Sequence, residues 1–161
     1  MDLTYYKNKA RDQLSANKSF SQKLKKKKPK DLDTIVSQFH LDAFEKIDCL
    51  ECANCCKSIS PIITDNDIKK IARYLKTKPG DFADFYLYLD QDGDYVFKDQ
   101  PCPFLGEDHY CTIYSHRPKA CAEYPHTDRK RFYQILDISV KNTLICPAVT
   151  EIFENLRKEY Q

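Results

Sequence analysis

Apolar residues recur every three or four positions over much of this chain, and the recurrence stops wherever turn-forming residues collect. Leu3, Tyr6, Ala10 and Leu14 predict a short amphipathic helix over residues 2–14, marginal on its own because so few turns must offset the cost of nucleation. Residues 15–30 (SANKSFSQKLKKKKPK) are polar, lysine-rich and closed by Pro29, and their like charges repel, so they read as an extended, solvated linker. Leu32, Ile35, Val36, Phe39, Ala43, Phe44 and Ile47 then line one face of a longer helix, with Asp31 or Asp33 available to cap it.

Further along, Thr64-x-x-Asp67 is a capping box for a helix that buries Ile68, Ile71, Ala72 and Leu75. Pro79-Gly80-Asp81 breaks that helix, and Phe82, Phe85, Tyr86 and Leu89 outline another short one. Asp92-Gly93 marks a turn before a strand at Tyr95-Val96-Phe97, whose partner, if it is not a loop, is the loosely alternating run Arg131–Ile138. Pro147 opens a last helix with Val149, Ile152, Phe153, Leu156 and Tyr160 towards the core. No internal repeat is present.

Charge alters this picture at one end only. Residues 1–30 hold ten Lys/Arg against two Asp/Glu, leaving sixteen against twenty-two for the rest, so a strongly basic tail precedes an acidic body although the net charge is only +2. Such a tail can meet nucleic acid through Lys23–Lys30, an anionic surface or its own domain. No run approaches the ~18 apolar residues of a membrane span, and the first residues lack the apolar stretch of an export signal, so a cytoplasmic monomer is expected.

The eight cysteines are the candidate chemistry: Cys49, Cys52, Cys55 and Cys56 cluster, and Cys102, Cys111, Cys121 and Cys146 follow singly. In Cys-x2-Cys spacing a turn aims both sulfurs at one ion, and its backbone N–H groups stabilise the thiolates. Disulfides are the poorer reading, because there is no export signal and adjacent Cys55 and Cys56 are awkward partners. Thiolates suit zinc and iron–sulfur clusters alike. Two four-thiolate zinc sites use all eight, with Cys55 and Cys56 free to face different sites. Against that, Cys49-x2-Cys52-x2-Cys55 has the spacing of a bacterial ferredoxin holding a 4Fe–4S cluster, completed there by a remote Cys-Pro such as Cys102-Pro103 or Cys146-Pro147, although Cys56 departs from the ferredoxin run. His109, His116 and His126 lie near cysteines and are secondary candidates, whereas His40 sits at the edge of a helical stripe.

Taken in order, Cys49-x2-Cys52-x2-Cys55-Cys56, Cys102-Pro103-Phe104-Leu105, Cys111-x-Ile113-Tyr114-x2-Arg117-Pro118-x2-Cys121-x2-Tyr124-Pro125 and Cys146-Pro147 resemble the CxxCxxCC cysteine-cluster family, also called YkgJ-like, of zinc- or iron-chelating proteins. The resemblance implies a small metal-chelating domain whose ligands are the eight matching cysteines, and it leaves the first forty or so residues unexplained. A similar cluster in flagellin lysine methylases implies a rival, enzymatic reading. With only Gly80, Gly93 and Gly106, however, this chain has no glycine-rich loop for a nucleotide or methyl donor. Arg117 is the best non-cysteine candidate, able to neutralise a thiolate centre or hold an acidic substrate. Pro118 fits the first turn of a helix carrying Cys121, and Tyr114 and Tyr124 read as packing residues.

The expectation is a small, irregular, mostly α domain with at most a short β-hairpin, organised by metal and preceded by a helical extension. Its parts are a basic helix and lysine-rich linker (1–30), an amphipathic helix (31–47) and the cysteine domain (48–161). Its expected function is binding of zinc or iron, with an iron–sulfur or metal-dependent enzyme and a nucleic-acid-binding module as the alternatives. Because metal binding is folding free energy in such domains, removing the metal is expected to melt most of residues 48–161 while the helix over 31–47 merely undocks.

Overall fold

In the computed structural model, which describes residues 1–160, short helices dominate. In chain order they are α1 (Leu3–Lys27), α2 (Leu32–Phe44), α3 (Cys49–Cys52), α4 (Asn54–Ser58), α5 (Asp65–Tyr74) and α6 (Pro79–Tyr86), then strands β1 (Leu87–Leu89) and β2 (Tyr95–Phe97), then α7 (Lys119–Glu123), α8 (Leu136–Asn142) and α9 (Pro147–Glu159). The chain forms two compact units, the first made of Met1–Cys52 with Pro125–Gln161 and the second of Ala53–Tyr124. No helix among the described residues is long and apolar enough to cross a membrane.

In the first unit α1 packs on α8 and α9, and α2 packs on α9. Asp2 caps α1, its carboxylate accepting the N–H groups of Thr4 and Tyr5 at 2.9 and 3.0 Å. The helix does not end at Leu14, and residues 15–27 are not the extended linker that their charge suggests. Ala10, Asn17, Phe20, Ser21 and Leu24 continue a buried stripe at helical spacing, so packing outweighs lysine repulsion. The lysines of the last turn also face the negative end of the helix dipole, and Lys25 pairs with Asp137 of α8. Lys9 likewise meets Glu154 of α9 at 2.6 Å, so part of the basic tail answers the acidic body of its own unit. The core includes Leu24, Val36, Phe132, Leu136, Phe153 and Leu156.

Asp31 sits at the start of α2 but makes no side-chain cap. Asp33 instead accepts the N–H groups of Arg131 and Phe132 at 2.6 and 2.9 Å, which ties α2 to the segment before α8. That segment is a turn of 3₁₀ helix, Phe132–Ile135, leading straight into α8, not a strand. Phe132, Leu136 and Val140 are spaced by four and are all buried, so the helical period outweighs the loose alternation.

In the second unit the Thr64–Asp67 capping box opens α5 as expected, and Pro79 occupies the first turn of α6. β2 pairs antiparallel with β1, with Leu87 opposite Phe97 and Leu89 opposite Tyr95. Leu89 therefore belongs to a strand and not to the helix before it. The tight connection fixes this register: Asp90 Oδ1 accepts the N–H groups of Asp92 and Asp94, and Gly93 takes φ +83°. Ile63, Ile71, Phe82, Leu87, Phe97 and Phe104 form the centre of a smaller core.

Candidate metal centre

The eight cysteines divide between the units, and all stand as thiols. In the first unit, Cys49 and Cys52 open and close the single turn of α3, three residues apart and so on one face. Cys146 is the residue before α9, where Pro147 takes the first helical position and needs no hydrogen bond. The N–H groups of Ala148 and Val149 point back to the Cys146 sulfur, and Cys49 and Cys52 are near enough to act on it electrostatically. Burial, reinforced by those two thiols, pushes the Cys146 thiol up to about 12.

The second unit gathers more. Cys55 and Cys56 lie in α4, and the Cys56 carbonyl accepts the Cys102 N–H at 2.8 Å. Cys102 and Cys111 occupy the two arms of a narrow loop closed by an isolated antiparallel bridge between Leu105 and Cys111. Within the loop, Gly106 N–H donates to the Tyr110 carbonyl at 2.8 Å, and a Cβ on Gly106 would lie 2.7 Å from Asp108 Oδ1 and 3.2 Å from that carbonyl. Backbone N–H groups of Phe104 and Leu105 reach the Cys102 sulfur, and that of Ile113 reaches Cys111. Cys121 is carried by α7, entered from Pro118 as the Arg-Pro pair suggested.

The four thiols Cys56, Cys102, Cys111 and Cys121 act on one another. Burial raises Cys121 to about 12, and the repulsion of Cys56, Cys102 and Cys111 adds to it. Burial similarly lifts Cys102 to about 11 and raises Cys111. Cys56 moves the other way, down to about 7, chiefly because the Cys55 thiol donates a hydrogen bond to it, helped by its own backbone N–H and by Lys57. Cys56 is thus the most easily ionised of the four. The thiols are neighbours and not a closed shell, since among the described residues no three His, Cys, Asp or Glu side chains are grouped closely enough to hold an ion as they stand. Closing a shell requires the sulfurs to draw together.

Two residues outside the cysteines shape this place. Arg117 lies over the Tyr114 ring at 3.9 Å and donates from Nη1 to the Tyr114 carbonyl at 2.9 Å, a posture from which its charge favours the thiolates of Cys111 and Cys121. Asp67 is the residue that sequence reasoning undervalued. Beyond capping α5, its Oδ1 accepts the N–H of Lys119, the first residue of α7, at 3.0 Å, fastening the Cys121 helix to α5. Of the histidines, His109 Nε2 lies 3.0 Å from Lys57 Nζ, and His116 stacks on Tyr74 at 4.2 Å. His126 lies in the first unit at φ +64°.

A donor set of four thiols, with N–H groups aimed at sulfur and an arginine beside them, is chemically suited to zinc or iron and ill suited to hard, oxygen-seeking cations. No curated protein and no solved structure matches the chain significantly. One family does, and its pattern, CxxCxxCC, described as "Putative zinc- or iron-chelating domain", matches residues 48–146 and so runs from just before the first cysteine to the last. With that match covering more than half of its length, the chain belongs to the CxxCxxCC family.

Proposed function

We propose that this protein binds zinc or iron through thiolate ligands drawn from all eight cysteines, and that Cys56, Cys102, Cys111 and Cys121 make up one four-thiolate site. The observation that carries the reading is that these four thiols lie in one unit, where the Cys56 carbonyl accepts the Cys102 N–H at 2.8 Å and the Leu105–Cys111 bridge closes the loop that holds Cys102 and Cys111. Four thiolates complete a tetrahedral shell and leave no position for substrate, so the role of this site is structural or that of a carrier. Cobalt(II) titration under anaerobic conditions tests it. A thiolate-to-cobalt charge-transfer band of tetrahedral intensity is expected, weakened in Cys102→Ser and Cys121→Ser variants. The same spectrum in wild type and both variants would remove these residues from the site.

A second reading concerns the first unit. Of the two Cys-Pro candidates for completing a ferredoxin-like set, Cys146-Pro147 lies beside Cys49 and Cys52, whereas Cys102-Pro103 joins Cys56. This favours Cys49, Cys52 and Cys146 as ligands of a common centre, and an iron–sulfur cluster there would be seen as acid-labile sulfide with a broad visible absorption. Colourless protein containing zinc would replace it with a second zinc site.

A further inference from the structure

On the second unit, apart from the cysteines, a cavity of about 480 Å³ is lined by Asn66, Lys69, Lys70, Arg73, Tyr74 and His116. Five of these are on α5, where Asn66, Lys69, Lys70, Arg73 and Tyr74 repeat at three- and four-residue spacing on the side opposite the buried Ile68, Ile71 and Ala72. Three cations therefore converge on one concave place. Lys70 is partly engaged, its Nζ lying 3.3 Å from Asp67 Oδ1 and donating to the Arg117 carbonyl at 2.8 Å. Lys69 and Arg73 are exposed and have no acidic partner among the described residues. These two cations stand beside a stacked aromatic pair. Tyr74 rests on His116 at 4.2 Å and 20° yet stays 47% exposed, while His116 Nδ1 is enclosed without a hydrogen-bond partner among the described residues.

We infer that this cavity binds a nucleoside phosphate, with the phosphate meeting Lys69 and Arg73 and the base lying against Tyr74. Paired cations supply charge-assisted hydrogen bonds to phosphate oxygens, and a half-exposed ring offers a face to a planar base. The volume lies within the ~300–1,000 Å³ usual for small-ligand sites, which favours a free nucleotide over a strand.

The test is calorimetric titration of the full-length chain, as purified, with AMP, adenosine and inorganic phosphate. AMP is expected to saturate one site at least about 10-fold more tightly than either of the others. Lys69→Ala or Arg73→Ala should each weaken AMP about 10-fold. Tyr74→Ala should weaken AMP and leave phosphate unchanged. All three positions are exposed, and circular dichroism with metal content, both expected unchanged, separates this site from the cysteines. AMP binding no tighter than that of phosphate and adenosine would overturn the inference, as would AMP affinity indifferent to both charge variants. So would oligothymidylate binding that tightens with length and is lost in Arg73→Ala, because it would assign the cavity to a nucleic-acid strand.

Discussion

Asp67 is 3% exposed and still ionised below the usual carboxylate range: burial alone would raise it, but hydrogen bonds from Thr64 and from the Lys119 and Thr64 backbone, with Lys70 alongside, outweigh that cost. It serves α5 and α7 at once, so Asp67→Ala is expected to destabilise the second unit by about 2 kcal/mol, more than a lone cap, because the Lys119 N–H also loses its acceptor. Chemical denaturation of both proteins measures this, and a loss no greater than that of Thr64→Ala would show that the α7 contact contributes nothing. His40 gives the first unit a pH dependence. Burial against Phe44, with Nδ1 2.8 Å from Thr127 Oγ1, lowers its pKa, and nearby Asp128 only partly offsets this. The unfolded chain therefore binds the proton more readily, and stability falls as pH drops below about 6.5 and on through the lower folded value. The melting temperature of His40→Gln should fall less over that range than that of wild type, and parallel curves would refute the assignment.

At the scale of elements, what could be read in the sequence was whatever carries its own local signal. The Thr64 box, the Pro79 and Pro147 starts, the Gly93 turn and the Pro118 entry to the Cys121 helix all state their geometry in a few adjacent residues. What was hidden depended on distant partners. Helix α1 continues through the lysines only because Phe20 and Leu24 find α8 and α9, and its stripe is disguised by Gln13, Asn17 and Ser21 at core positions. Those polar atoms are buried without hydrogen-bond partners in the described structure, as is Ser139 Oγ on α8. Replacing Asn17, which is fully buried, by Leu should therefore raise stability, by about 1–2 kcal/mol, and extend α1 helicity. A lower melting temperature for Asn17→Leu would show that the amide is satisfied after all. The cysteines stood out as candidate ligands by type and spacing, but their grouping did not, because the Cys56–Cys102 backbone bond joins residues far apart in the chain.

Over the whole molecule, the chain builds part of one unit, passes through the second and returns to finish the first. The second unit, Ala53–Tyr124, is on the order of 70 residues, a size at which a hydrophobic core alone gives marginal stability and a staple is usually needed. The first unit has the larger core, and residues 136–159 contribute to it through α8 and α9. Removing metal is accordingly expected to melt the second unit and to spare α1, α2, α8 and α9, a narrower loss than melting of most of residues 48–161. Hydrogen exchange before and after chelation distinguishes the two: protection lost in α5 and α6 but kept in α9 is expected, and uniform loss would mean that both units depend on metal. The most direct test of the central claim is elemental analysis of untagged full-length protein purified without oxygen, compared with a Cys56→Ser/Cys121→Ser double variant. Zinc or iron bound in stoichiometric amount, and about one ion fewer in the variant, is the predicted result; protein without either metal, or a variant that binds as much as wild type, would contradict it.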